Sequence, residues 1–304
     1  MSKPTKPDSA GRALSRVLDM LDVKLVGNGC FEGSSPQTPW RRLYGGQVIG
    51  QALMAACKHV GQIAPDRLPH ALHLIFLRPG DPRETVLYQI EVLRDGRAFT
   101  AADVFATQGD KAIARATVSF HADADAVVEH DDLGPMPMPP QPDGSEPDFL
   151  DFAPLPIQRY WRGANGDAPS PVTIIPIDAT RYQLGRLQPP HQAFWMRSSA
   201  PLPDNRPELA AALLAYLSDM TLLDTALAPT GQTIFSDAYA AASLDHSFWM
   251  HRATITDDWF FYRQDSPIAT KGRGFARGSF YNRTGKLIAS SAQEGVIRAA
   301  PRAD

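Results

Sequence analysis

Along this chain the spacing of hydrophobic residues changes several times, and each change marks an element. Leu14, Val17, Leu18 and Leu21 recur at three-and-four spacing behind Ser9, which predicts a short amphipathic helix with Ser9 as its cap. Residues 29–44 are mixed and end in Trp-Arg-Arg-Leu-Tyr, a short strand by composition. After Gly45-Gly46, residues Gln47 to His59 are rich in Ala and Leu and read as a buried helix, with Gly50 where something packs closely. The period then falls to two. Strands are predicted at about 69–78, 84–94, 97–107 and 111–121, with turn signals at Asp95-Gly96 and Gln108-Gly109-Asp110.

From about 123 to 170 the pattern is lost, and Gly134-Pro-Met-Pro-Met-Pro-Pro-Gln-Pro reads as an extended linker. Residues 156–186 hold enough apolar content for one or two edge strands over the body. The earlier order then returns. Ala193-Phe-Trp-Met-Arg is a strand, and Pro207 to Ala226 is a helix with Pro in its first turn and Glu208 near its positive end. Strands follow at about 239–250, 257–265, 273–282 and 286–297. His73-Leu-Ile-Phe-Leu-Arg matches His246-Ser-Phe-Trp-Met-His, Gly96-Arg-Ala-Phe matches Gly272-Arg-Gly-Phe, and Lys111-Ala-Ile-Ala matches Lys286-Leu-Ile-Ala. A repeat this long predicts a duplicated unit. In each copy an apolar helix precedes an antiparallel meander, so the expected fold is α+β. It is a tandem (double) hot-dog, two antiparallel sheets each wrapped on a central helix and joined into one larger sheet. The boundaries drawn are 1–125 for the first repeat with its leading helix, 126–188 for the linker and connecting strands, and 189–304 for the second repeat. Residues 1–8 are expected to be disordered.

The duplication sets some polar residues apart. Asp219 lies within the apolar run of the second helix, and Gln293 lies within the last apolar strand. The stretch Ala242 to His251 crowds Ser243, Asp245, His246 and Ser247 beside Phe248 and Trp249, with imperfect alternation. In the first copy the position matching Gln293 is Val118, and that matching Asp219 falls near Gly50 or Gln51. Burying polar groups without partners is costly, so Asp219, Ser243 and Gln293 are expected to meet, as a catalytic group or as a structural knot.

Composition narrows the classes of function. The 304 residues are 43% hydrophobic and 21% charged, with net charge −3, which gives no whole-chain attraction to nucleic acid or an anionic membrane. Cys30 and Cys57 form no CxxC pair, which favours a reducing, cytoplasmic compartment. The start, Met-Ser-Lys-Pro-Thr-Lys-Pro-Asp, has no apolar core of a secretory signal, and the end, Pro-Arg-Ala-Asp, is not a peroxisomal address. No run approaches membrane-spanning length and no cluster has metal-ligand spacing. Neither a cofactor nor a metal is expected. Exposed sheet edges favour a homo-oligomer, a dimer or tetramer.

Five motifs in order resemble the acyl-CoA thioesterase II family, the bacterial double hot-dog thioesterases and their peroxisomal relatives. They are Arg42-Leu-Tyr-Gly-Gly-Gln-Val-Ile-Gly-Gln-Ala, Phe76-Leu-Arg-Pro-Gly-Asp, Tyr216-Leu-Ser-Asp, Ser243-Leu-Asp-His-Ser-Phe-Trp-Met-His and Ala292-Gln-Glu-Gly-Val-Ile-Arg. The resemblance implies hydrolysis of medium- or long-chain fatty acyl-CoA to free acid and coenzyme A. It places the active site on an Asp of the second helix, a Thr or Ser of the following strand and a Gln of the last strand, here Asp219, Ser243 and Gln293. Their expected roles are Asp219 as general base and Ser243 and Gln293 holding the water or the carbonyl oxygen. Ser243 as an acylated nucleophile is disfavoured, because no Gly-x-Ser-x-Gly elbow exists and nothing makes His246 its base.

Four further residues are candidates for substrate binding. Gly46 has an amide at a helix start suited to an oxyanion or phosphate, or serves only a tight turn. His246 adjoins the trio, though a core histidine is the simpler reading. Lys271 and Arg273 flank a bend from which they would reach the phosphates of coenzyme A, or remain solvated charges. Two rival functions stand beside hydrolysis. One is a hot-dog 3-hydroxyacyl-CoA dehydratase using the Asp245–His246 pair, and the other is a non-catalytic acyl-CoA-binding protein.

Overall fold

The computed structural model describes residues 9–36, 42–125, 127–131, 136–140, 148–151, 153, 155–162, 168–182, 185–252 and 258–300. The first half contains α1 (Ser9–Leu21), the hairpin β1 (Lys24–Gly27) and β2 (Cys30–Gly33), and α2 (Gly45–Ile63). It continues through β3 (Arg67–Phe76), β4 (Val86–Asp95), β5 (Phe99–Gln108) and β6 (Lys111–Ala122). The second half contains α3 (Leu155–Arg162), β7 (Val172–Pro176), β8 (His191–Ser198), α4 (Pro207–Ser218) and α5 (Asp224–Leu227). It ends with β9 (Tyr239–Ser243), β10 (Asp245–Met250), β11 (Phe260–Thr270), β12 (Arg273–Asn282) and β13 (Leu287–Ala299).

Among the described residues the strands form one sheet in the order β1-β2-β4-β5-β6-β3-β10-β13-β12-β11-β8-β7, with β9 also paired to β13. The sequence of neighbours reads the same outward from the β3–β10 join, so the two halves are related by an approximate two-fold. At that join His73 pairs with Ser247, in an antiparallel ladder from Ile75–Asp245 to Ala71–Trp249. This is the tandem hot-dog arrangement expected from the repeat. The two long helices, α2 and α4, pack closely against each other and run antiparallel. A Cβ on Gly46 would strike the Tyr216 carbonyl, and one on Gly50 would lie 2.9 Å from the Ala212 carbonyl oxygen. Glycine is therefore what lets α2 lie this close to α4. Leu53, Met54, Leu213 and Leu214 are fully buried between helices and sheet, which suits helices apolar nearly all round.

Four expectations need correction. The second helix does not continue from Pro207 to Ala226. It stops at Ser218, with Asp219 as its C-cap, and resumes only as the single turn α5. Thr221, in the break, has φ 62°, a left-handed conformation uncommon for a β-branched residue. Residues 156–186, expected to hold one or two edge strands, hold one, β7, together with most of a helix, α3, that the expectation omits. A strand ending at Tyr44 is not present among the described residues, since Arg42 to Tyr44 is irregular and Trp40 and Arg41 lie outside them. The hairpin instead lies earlier, and its turn, Gly27-Asn28-Gly29, is a sequence signal that could have found it. Residues 136–140 of the proline-rich stretch are described and are neither helix nor strand, while 134, 135, 141 and 142, like residues 1–8, lie outside the described residues.

The fourth correction concerns register. Leu72 pairs with Val118, which pairs with Ala102. The corresponding ladder pairs Ala276 with Gln293 and Ala292 with Ser247. Gln293 therefore does occupy the place of Val118, but the residue beside it, His246, occupies the place of Leu72 and not of His73. A one-residue slip in a strand exchanges its faces. His73 is on the outer face, bonded through Nδ1 to Ser247 Oγ at 3.0 Å, whereas His246 points inward and is fully buried.

Candidate active site

The site forms where α4 breaks against the start of α2. Asp219 leaves the helix axis because the chain turns at Thr221, and a buried amide cluster holds that turn. Gln192 Nε2 donates to the Thr221 carbonyl at 2.8 Å and to Gln264 Oε1 at 2.6 Å, and Gln264 Nε2 donates to the Met220 carbonyl at 3.1 Å. These groups satisfy backbone atoms that the interrupted helix leaves without partners. The Gly46 amide, at the N-terminus of α2, donates to Asp219 Oδ2 at 2.8 Å. Positive potential at that helix end favours the carboxylate. The Gly46 amide is thus engaged by Asp219.

Ser243 reaches the site through a bulge. From Ser243 to Ser247 the chain advances four residues, while their partners on β13, Gly295 and Ala292, are three apart. The extra residue sits at Leu244, whose amide donates to the Glu294 carbonyl at 2.9 Å. The Asp245 carboxylate accepts from the Glu294 amide at 2.7 Å, repairing the ladder there. In an unbroken strand Ser243 and His246 would face opposite ways; the bulge turns both inward. This is the cause of the imperfect alternation in the sequence.

Gln293 joins them. Its Nε2 donates to Ser243 Oγ at 2.6 Å, and its Oε1 lies 2.8 Å from His246 Nδ1. His246 Nε2 lies 2.8 Å from Ser218 Oγ. Besides the Gly46 amide, the side chains of Gln293 and Ser243 stand near the Asp219 carboxylate as donors. Burial pushes its carboxyl above the usual carboxylate range, opposed by nearby His246 and by those three donors. Burial likewise pulls the His246 imidazole below its ordinary value, opposed by Asp219 first.

Asp219, Ser243 and Gln293 all line a cavity of about 680 Å³, a size usual for small-molecule sites. Its other walls are largely apolar and include Val48, Phe76, Ile113, Leu223 and Phe235, with Ile157 and Trp161 from α3. Arg42 and Arg78 also line it, and both side chains donate to backbone carbonyls, of Ala241 at 2.7 Å and Ala112 at 2.9 Å. Asp224 lines it too; its carboxylate accepts from the Ile234 amide at 2.6 Å, and burial pushes its carboxyl up to about 6.

The other candidates are placed differently. His246 does not line the cavity but stands behind Gln293. Lys271 and Arg273 are at the β11–β12 turn, outside the cavity lining, with Arg273 bonded to Glu294 at 2.9 Å. Asp245 and His246 do not form a dyad, since one serves a backbone amide and the other Ser218 and Gln293. Arg42 and Arg78 stand within two of the motifs, but only the folded chain shows which arginines reach a cavity. Among the described residues no group of three or more His, Cys, Asp and Glu is placed to hold a metal ion.

A family model described as acyl-CoA thioesterase matches residues 171–296, and one described as the acyl-CoA thioesterase N-terminal domain matches residues 35–121. The chain is 33% identical over 299 residues to human acyl-coenzyme A thioesterase 8, covering 94% of this chain and 90% of that one. It is 31% identical over 290 residues to acyl-CoA thioesterase 2 of Haemophilus influenzae, covering 94% and 98%. The crystal structure of an acyl-CoA thioesterase II from Mycobacterium marinum is 30% identical and superposes with a TM-score of 0.74 over 94% of this chain and 99% of that one. With two half-models matching in order and these identities running almost end to end, the chain belongs to the acyl-CoA thioesterase family.

Proposed function

We propose that this chain hydrolyses medium- to long-chain fatty acyl-CoA to the free acid and coenzyme A, with a water activated by Asp219 and positioned by Ser243 and Gln293. The observation that carries this reading is a carboxylate with two neutral side-chain donors lining an otherwise mainly apolar cavity. In the first half the pair equivalent to His246 and Gln293, Leu72 and Val118, is apolar and fully buried, so the fold itself has no need of polar groups at those two places. A thioester is already reactive, so hydrolysis needs chiefly a placed nucleophile and help for the developing oxyanion.

In the reaction the Asp219 carboxylate takes a proton from the water as its oxygen attacks the thioester carbonyl. The tetrahedral intermediate carries its charge near the positive end of α2 and the donors of Ser243 and Gln293. It collapses by breaking the carbon–sulfur bond, and the departing thiolate recovers the proton from Asp219. The acyl chain lies against the apolar walls. Arg42 and Arg78 are better placed than Lys271 and Arg273 to meet the phosphates of coenzyme A, because they line the same cavity. A homo-oligomer remains our reading for the assembly, supported by the exposed edge residues Leu25 and Val26 on β1 and by Ile75 and Phe99 on β3 and β5.

The test is Asp219→Asn, an isosteric change that removes the base. Thiol release from palmitoyl-CoA is expected to fall by roughly a hundredfold or more, with the melting temperature kept close to that of the parent. Undiminished turnover in the variant refutes the assignment. If the parent releases no thiol from palmitoyl-CoA but hydrates crotonyl-CoA, the reaction is that of a dehydratase. Binding without any turnover identifies a sensor.

A further inference from the structure

The Gln293 amide has a donor end and an acceptor end of nearly equal shape, so sterics alone do not decide which end faces Asp219. The decision falls to the groups behind it. We propose that Ser218 and His246 are positioning residues that hold the Gln293 amide with its NH2 toward Asp219 and Ser243. The inference rests on the reading of Asp219, Ser243 and Gln293 as the hydrolytic trio.

The argument is one of proton counting. Gln293 Nε2 is 2.6 Å from Ser243 Oγ, and its Oε1 is 2.8 Å from His246 Nδ1. For this orientation Nδ1 must carry a proton, because oxygen only accepts. A neutral imidazole then has a bare Nε2, which needs a donor. Ser218 Oγ lies 2.8 Å away, and its hydroxyl has one proton to give, either to Nε2 or to the Ala215 carbonyl at 2.7 Å. When Ser218 donates to Nε2, every proton in the chain points one way. Ser218 donates to His246, His246 to Gln293, and Gln293 to Ser243, with its amide nitrogen toward Asp219. When Ser218 donates instead to Ala215, the imidazole carries its proton on Nε2 and Nδ1 becomes an acceptor. The amide must then turn over, and its oxygen faces the carboxylate. His246 and Ser218 are both fully buried, so no bulk water substitutes for either partner. The charged groups near the imidazole are Asp219 and Asp245, and the Asp219 carboxylate favours the first arrangement because it requires donors.

Ser218→Ala deletes the donor to Nε2 and frees the imidazole to protonate there. The expected result is a fall in kcat of roughly ten- to a hundredfold with KM little changed, since what is lost is a donor turned toward a charged carboxylate and not an acyl contact. Ser218→Thr, which keeps the hydroxyl, is expected to restore most of it. Nitrogen-15 NMR of histidine-labelled parent enzyme reads the tautomer directly, and a neutral His246 protonated at Nδ1 is expected. A proton on Nε2 alone in the parent overturns the proposal whether or not the alanine variant folds. So does a Ser218→Ala enzyme with unchanged kcat. Asp219→Asn assayed beside them separates the two ideas. If that variant retains hydrolysis, the trio reading fails, while the tautomer still reports how the amide stands.

Discussion

At the residue scale, the chemistry turns on one carboxylate whose proton affinity is raised by burial and held in check by its donors. Only ionised Asp219 accepts the water's proton, so hydrolysis is lost as pH falls through the Asp219 pKa. Burial places that pKa above the ordinary Asp value of 3.8. We expect the acid limb of the kcat/KM profile for a stable acyl-CoA to lie above the ordinary carboxylate range. A profile flat down to pH 4 would show either that the base is another group or that its donors outweigh burial. The residue types at this site were legible in the sequence because they interrupt apolar periods. Their partners were less so. Gly46 read as a turn or an anion site, and its amide is in fact given to Asp219 across 173 positions of sequence. His246 read as a core histidine, and it is buried, but its two ring nitrogens bridge Ser218 and Gln293, which no local pattern announces.

At the scale of elements, two interruptions build the site. One is the end of α4 at Ser218, the other the bulge at Leu244. Neither interruption falls at a glycine or proline, which explains why the sequence predicted a helix to Ala226 and a strand through 239–250. Both depend on distant groups that satisfy the exposed backbone: Gln192 and Gln264 at the helix break, and the Asp245 carboxylate at the bulge. Gln264→Leu should therefore unsettle Asp219 without touching it. It removes one buried hydrogen bond from the Met220 carbonyl and one from the Gln192 amide, together about 1–3 kcal/mol. Denaturant unfolding should show that loss, accompanied by a fall in kcat. A variant with parental stability and rate would mean the break holds itself. The α3 helix, in a segment read as edge strand and linker, supplies Ile157 and Trp161 to the cavity wall. Its short, amphipathic run was lost among prolines and charges.

At the scale of the whole molecule, the duplication divides the labour unequally. The second half carries Asp219, Ser243 and Gln293; the first supplies the helix whose amide holds Asp219, together with the cavity walls Val48, Phe76 and Ile113. The halves share the β3–β10 ladder and the close contact of α2 with α4 at Gly46 and Gly50. Residues 189–304 expressed alone should release no thiol from palmitoyl-CoA, and co-expression with residues 1–188 should recover part of the activity. Full activity from the second half alone would contradict a site that needs both. The amino-acid sequence by itself determined the duplication, the helix-then-meander order, the tandem hot-dog class and the residues out of keeping with an apolar interior. Those are properties of local period and composition, which each stretch carries regardless of its neighbours. Tertiary structure alone decided where the second helix stops, which face His246 takes, and which arginines reach the cavity. Each of these depends on hydrogen bonds and packing between residues far apart in the chain, and a one-residue shift in pairing that sequence similarity cannot sense is enough to reverse a side chain's direction.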